Sequence, residues 1–386
     1  MRFIHIADLH IGKNLRDRSL IEDQAYILDQ ILDILQSEKP DVLLIAGDIY
    51  DQSRPSAEAV SLVGDFFCRL GELPLEVFAI SGNHDSPERL AYASRILAEH
   101  HIHIASGVTT QLPCLELEDR YGPLRLYALP FMRPASLRLL LPEGSLSYRA
   151  AMESLLASAD IEAEARNILL LHQFVSGAYQ DPLRSASEQE IQLIGGLEAI
   201  PTDLFDAFDY VALGHLHRPQ SVGREGVRYA GSPLKYSFSE CAHEKSLTLI
   251  SLAGKNQLKT ELIPLRPRRD MREIRGGLKQ LLRDAETDSA KTDYIRAILT
   301  DDEERDDPFA ALRRRYPNLL ALDFDNARTR AEAAASPAEA DDWTPMDPEA
   351  LFLNFFREQQ GRDAEPGERA ALERCLRRAK EEAEEA

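Results

Sequence analysis

The sequence predicts an α/β protein: a four-layer α/β/β/α sandwich, then a small α+β cap domain and C-terminal helices. Three observations carry this. Short β-branched and leucine-rich runs alternate with longer amphipathic stretches from the first residues onward, the rhythm of βαβ units. The apolar runs stop repeatedly at polar loops rich in Asp, Asn and His. Further strand-like runs beyond residue 226 then call for a second sheet.

Taken in order, Phe3–Ala7, Val42–Ala46 and Val77–Ile80 read as strands, and Leu20–Gln36 and Ala57–Leu70 between them as helices. Leu115–Leu117 and Leu124–Leu129 flank Arg120-Tyr121-Gly122-Pro123 as a hairpin. Asn167–Leu171 and Tyr210–Leu213 read as buried strands ending at His172 and at Gly214-His215. Val227–Ala230, Leu247–Leu252 and Leu258–Ile263 are expected to build the second sheet. The pattern changes near Pro264–Pro267. Beyond it, strands at Met271–Ile274, Tyr294–Leu299 and Leu320–Phe324 alternate with helices at Leu278–Ala285 and Pro308–Tyr316. A main domain over 1–265 and a cap domain over 266–328 follow, with a linker over 329–347 rich in Ala, Asp and Pro and helices over 348–386.

Composition bounds the function. At 386 residues the chain exceeds one compact core. A net charge of −20 excludes a protein that grips nucleic acid with its whole surface. Any DNA contact must be local. Cys68, Cys114, Cys241 and Cys375 lie far apart without a CxxC pair, so neither a disulfide framework nor a zinc knuckle is indicated and a reducing cytoplasm is the expected home. The first run reaches Asp8 too soon for a secretory signal, and no apolar run approaches the ~18 residues of a membrane span.

Chemistry is carried by an ordered series of loops. Asp8-Leu9-His10 alone reads as a capping Asp beside a surface His. It is followed, however, by Gly47-Asp48, Gly82-Asn83-His84-Asp85, His172 and Gly214-His215-Leu216-His217, nearly all directly after predicted strands. Ligands of open α/β sheets gather at the carboxyl ends of strands, so these loops should meet on one rim. Carboxylate, amide and imidazole donors without thiolate suit Mn²⁺, Fe²⁺ or Zn²⁺. Two cations ~3.5–4 Å apart need a shared anion, which Asp48 at its tight turn can supply. Such a pair acidifies water for in-line attack on phosphorus. Phosphoester hydrolysis is the expected reaction.

These motifs resemble the calcineurin-like metallophosphoesterases, which carry D-x-H, G-D, G-N-H-D/E, H and G-H-x-H in this order. Asp8–Lys13, Gly47–Asp51, Gly82–Arg89 and Gly214–Pro219 look like one branch, the bacterial nuclease subunits that process double-strand DNA ends with an ATPase partner. The resemblance covers nearly the whole chain. It implies one metal on Asp8, His10, Asp48 and His217, and a second on Asp48, Asn83, His172 and His215, with Mn²⁺ as the ion. It further implies His84 as a group beside the scissile phosphate that protonates or stabilises the leaving oxygen, with Asp85 orienting it. Archaeal and eukaryotic relatives often carry His where this chain has Asp51. No Walker A motif occurs in the sequence, so ATP falls to the partner. A homodimer is implied as well.

Blander readings hold elsewhere. His5, His100, His101, His103 and His243 fit no ligand spacing and read as structural. Lys255–Arg283 holds nine Lys or Arg against three acids, either a DNA track or a solvated domain boundary. Asp301–Asp307 lacks EF-hand spacing and reads as a solvated loop. The Leu351, Phe352, Phe355 and Phe356 stripe beyond the linker has little core to join, so partner docking is expected, followed by a charged helix over Glu368–Glu385. Two other functions compete: a metallophosphatase or cyclic-nucleotide phosphodiesterase acting on small substrates, and a scaffold with a vestigial site. The small domain and tail oppose the first, and the complete ligand set opposes the second.

Overall fold

The first strand shows how its sequence is used. In Arg2–Ile6, Phe3 packs into the core between two sheets while Ile4 and Ile6 face the opposite side, towards helices. A strand buried on both faces needs a continuous apolar run, and this is what the sequence supplies. The computed structural model describes residues 1–133, 147–159, 161–162, 164–177, 182–184, 199–302 and 306–327, with scattered positions between 136 and 140 and between 329 and 374.

Six strands form the first sheet, in the spatial order Leu258–Pro264, Ser246–Leu252, Arg2–Ile6, Val42–Ile45, Glu76–Ile80 and Ile102–Ala105. The last four run parallel, and Ser246–Leu252 joins Arg2–Ile6 antiparallel. The second sheet is also six-stranded, in the order Gln220–Val222, Arg224–Tyr229, Tyr210–Gly214, Arg166–His172, Gly122–Leu129 and Cys114–Asp119. Its four central strands are parallel. Phe3, Leu44, Phe78, Leu126, Leu170 and Tyr210 fill the space between the sheets. Helices Ile21–Glu38 and Ala57–Gly71 cover the first sheet's outer face, and Tyr148–Ser158 packs on the second. The four-layer expectation therefore holds.

One assignment needs correction. Ser246–Leu252 and Leu258–Pro264 belong to the first sheet, at its edge, and of the three strands expected in the second sheet only the one around Val227 lies there. Periodicity marks a strand but not its neighbours. On one side Ser246–Leu252 pairs with the first strand of the chain, nearly 250 residues away.

A third sheet of three parallel strands, Met271–Gly276, Tyr294–Leu299 and Leu319–Phe324, has its own small core with helices Leu278–Thr287 and Pro308–Arg313. Arg269 ties it to the large domain: its guanidinium lies 2.8 Å from buried Asp23 and 3.0 Å from Glu22, both in helix Ile21–Glu38. Residues 1–325 form one compact unit and 326–386 a second. In the second unit Phe352 and Phe356 pack ring to ring at 6.4 Å. Residues 330–347 of the expected linker, Leu351, Phe355 and most of the charged helix lie outside the described residues. Among the described residues no helix is long and apolar enough to cross a membrane.

Candidate metal centre

Every expected loop leaves the carboxyl end of a parallel strand, and the two sheets present these ends at one rim. Backbone bonds continue the pairing past the strand ends: Asp8 N–H donates to Gly47 O (3.1 Å) and His10 N–H to Asp48 O (2.9 Å). From behind, the side chain of buried Gln24 donates to His10 O (2.7 Å) and accepts from Gly12 N–H (2.9 Å). The closeness of the loops dictates glycine at two points. Gly47 has φ +87°, and a Cβ there would strike His172; a Cβ on Gly214 would collide with the Ala46 carbonyl.

His10, Asp48, Asn83, His84, His215 and His217 line one cleft of about 110 Å³, and Asp8 and His172 are fully buried within reach of them. His172 Nε2 and His215 Nδ1 each lie 3.0 Å from Asn83 Oδ1. His10 Nε2 and His217 Nε2 face each other at 3.1 Å. Three clusters place their donor atoms within 4.8 Å of one another: Asp8, His10 and His217; His10, Asp48 and His84; and Asp8, Asp48 and His172. Asp48 therefore lies between imidazoles of both sheets, 3.4 Å from His172 Nε2 and 3.7 Å from His10 Nε2. Phe131 stacks over His215.

Electrostatically the cluster is built for cations. Burial pushes the Asp8 carboxyl up to about 7. Burial also works against ionised Asp48, yet His172, His10 and His84 hold it well below the usual carboxylate range. Burial drives His215 down to about 3 and His10 down as well, while His172, opposed by burial but facing Asp48, rises to about 9. Oxygen and nitrogen donors crowded into so buried a place fit divalent ions.

His84 lines the cleft, and its Nδ1 donates to the Asp51 carbonyl at 2.7 Å. Asp85 does not orient that ring, contrary to expectation. Its buried carboxylate accepts from Gly82 N–H (2.9 Å), Tyr50 N–H (2.9 Å) and Ile49 N–H (3.1 Å), bracing two loops against each other. Burial and Asp48 raise it to about 6. The Asp51 side chain pairs with Lys13 at 2.8 Å. Sequence reasoning missed Tyr236, whose ring stacks edge-on against His10 and His217 and whose hydroxyl donates to Leu9 O. It missed Glu240 too, wholly buried with Oε1 3.0 Å from His217 Nδ1. Burial opposes that charge, but Lys245 and His217 hold it below the carboxylate range. Neither residue sits in a motif, so spacing gives no signal for them.

Of the histidines set aside, His5 is buried against Tyr210 OH at 3.0 Å, and His101 and His103 pair with Glu76 at 2.8 and 2.9 Å. His243 lies 4.0 Å from Glu240.

Residues 1–219 match the calcineurin-like phosphoesterase family, and residues 267–360 match a family described as the type 5 capsule protein repressor C-terminal domain. The SbcD subunit of the SbcCD nuclease from Staphylococcus epidermidis is 33% identical over 92% of this chain and 93% of its own length. This chain belongs to the SbcD family. A second SbcD relative, the corresponding SbcCD nuclease subunit of Staphylococcus saprophyticus, is 32% identical over 97% of this chain and 98% of its own. Among solved structures, TT1561 of Thermus thermophilus aligns at 13% identity and a TM-score of 0.39, covering 68% of this chain and 98% of that one. The two SbcD relatives and the two family matches span both the loop series and the third sheet.

Proposed function

We propose that this chain is a two-metal DNA nuclease, cutting internally and from duplex ends, and working with an SbcC-like ATPase on double-strand ends and hairpins in DNA repair, recombination and replication. The observation that carries the reading is the convergence of Asp8, His10, Asp48, Asn83, His172, His215 and His217 on one cleft. Asp8, His10, Asp48 and His217 would hold one ion, and Asp48, Asn83, His172 and His215 the other. Mn²⁺ suits this donor set. When bound, the ions supply Lewis acidity to the phosphoryl oxygens and an activated water.

The chain's own groups do the rest. With Nδ1–H committed to the Asp51 carbonyl, His84 keeps Nε2 for the leaving deoxyribose oxygen, as acid or as hydrogen-bond donor. His84 also lies within ligand reach of His10 and Asp48. The SbcD pattern favours the acid role. The similarity to nuclease subunits over 92–97% of the chain supports a DNA phosphodiester over the phosphatase or cyclic-nucleotide reading.

DNA and the SbcC-like ATPase are the proposed partners, a homodimer the proposed state, and the cytoplasm the proposed location. Tyr92 and Ile96, 92% and 65% exposed beside the third loop, support a dimer surface. The deciding experiment offers purified protein labelled single-stranded and hairpin DNA, a phosphomonoester and a cyclic nucleotide, in Mn²⁺ with a chelator control. Chelator-sensitive DNA cleavage is expected; hydrolysis of the small substrates alone would sink the nuclease reading.

A further inference from the structure

Behind His217 lies a buried ionic network that takes no part in the hydrolysis described above. Glu240 ends the Phe238–Glu240 turn with no solvent exposure. Its Oε1 lies 3.0 Å from His217 Nδ1, and its Oε2 accepts from Lys245 Nζ at 2.7 Å. The same ammonium donates to Ser232 Oγ at 2.8 Å and to the His217 carbonyl at 2.9 Å. His243 Nδ1 stands 4.0 Å from Oε2.

A lone buried carboxylate would be costly, and a buried ammonium equally so; together, with these further hydrogen bonds, they persist as ions. An ionised carboxylate can only accept. The proton shared with Glu240 must therefore sit on His217 Nδ1, and in the neutral imidazole, the form that can bind a metal, the lone pair is then on Nε2. That nitrogen faces His10 Nε2 at 3.1 Å, within the Asp8, His10 and His217 cluster. We propose that Glu240, paired with Lys245, is a positioning residue that fixes His217 as the Nδ1–H tautomer and aims its Nε2 lone pair at one metal. The aim rests on the metal reading of the site; the tautomer does not. Lys245 adds a second restraint, since it holds the His217 backbone while Glu240 holds the ring.

Two double variants separate positioning from packing. Glu240→Leu/Lys245→Met removes both charges together, avoiding a stranded ion, and removes the acceptor. Glu240→Gln/Lys245→Met makes the same change in charge but keeps an amide oxygen able to accept from Nδ1–H. Nitrogen-15 spectra of histidine-labelled, metal-free protein, with the His217 signals identified from His217→Gln, report the tautomer. Mn²⁺ titration calorimetry reports affinity at each site. The wild type should show Nδ1–H. The Leu/Met variant should lose that preference and weaken one Mn²⁺ site by roughly 10- to 100-fold with the other unchanged, and the Gln/Met variant should recover most of both.

A wild-type His217 protonated on Nε2, with normal Mn²⁺ binding, would overturn the proposal and leave the functional reading standing. Wild-type affinities and tautomer in a folded Leu/Met variant would overturn it too. Should that variant not fold, the wild-type tautomer and the Gln/Met variant still decide. Absence of Mn²⁺ binding by a wild type that shows Nδ1–H would overturn the metal reading, and with it the aim of the lone pair.

Discussion

Asp8, His10, Asp48 and His215 all have positive φ, between 45° and 102°. Asp and His tolerate this region better than most residues, at about 1–3 kcal/mol each where the conformation is strained. The surrounding fold offsets that cost to bring donors from five loops within reach of common points. At this scale most of the site was legible, because D-x-H, G-D, G-N-H-D and G-H-x-H fall at strand ends. What was not legible acts through the backbone or across long separations. The carbonyl that holds His84 belongs to Asp51, and a carbonyl leaves no mark in a sequence. Asp85, expected to touch His84, braces the loops instead, because burial sets it among three backbone N–H groups. Substitution at two positions divides the roles. Asp48→Ala should abolish Mn²⁺ binding, measured by calorimetry, together with all DNA cleavage. His84→Gln should keep both ions and lower kcat by about 10²- to 10⁴-fold, the usual worth of a general acid. Loss of an ion from His84→Gln would make His84 a ligand.

Elements were easier to find than to place. Helices expected at Leu20–Gln36 and Ala57–Leu70 occupy Ile21–Glu38 and Ala57–Gly71, since their apolar faces recur every three or four residues. The strands Ser246–Leu252 and Leu258–Pro264 were recognised but given to the wrong sheet, because nothing local records that their neighbour is Arg2–Ile6. Ile102–Ala105 escaped notice as a strand, its apolar residues interrupted by His103. The basic stretch Lys255–Arg283 is largely explained by its elements. Lys255, Lys259, Arg268, Arg269, Arg272 and Arg275 are paired with carboxylates, several of them fastening the third sheet in place. Asp301 and Asp307 likewise accept from backbone N–H groups at helix starts, at 2.6 and 3.0 Å. The C-terminal stripe is the element proposed to meet the ATPase. Deleting residues 346–386 should preserve chelator-sensitive cleavage of single-stranded DNA while abolishing capture of an SbcC-like subunit in a pull-down. Capture that survives the deletion would place the contact elsewhere.

Across the whole molecule, the space between the sheets holds His5 as a polar misfit. His5 is fully buried there, and burial, with the positive charge of Arg228, lowers its pKa from 6.5 to about 3. In the unfolded chain this imidazole takes up a proton below pH 6.5, whereas the folded chain resists until about pH 3. Its contribution to stability is therefore complete above pH 6.5 and is lost progressively as the pH falls towards 3. The loss is at most about 1.4 kcal/mol per pH unit. His5→Phe should flatten this part of the profile, seen as a smaller fall in urea-unfolding free energy between pH 6.5 and about 4 than in the wild type. Parallel profiles would show that His5 titrates like a solvated histidine. The resistance comes from tertiary burial between two sheets, which the sequence places only once both sheets are known.

The pairing of the first strand with residues near 250 also sets a schedule for synthesis. His10 and His217 are separated by 207 residues, and a ribosome adds about 5–20 residues per second. Roughly 10–40 s thus pass between the appearance of the first donor loop and the last. During that interval the emerging chain exposes Asp8, His10 and Asp48 without the imidazoles that complete their clusters. A nuclease with its donors split between the two ends of its catalytic domain is born inactive, and stays so until nearly all of that domain has left the exit tunnel.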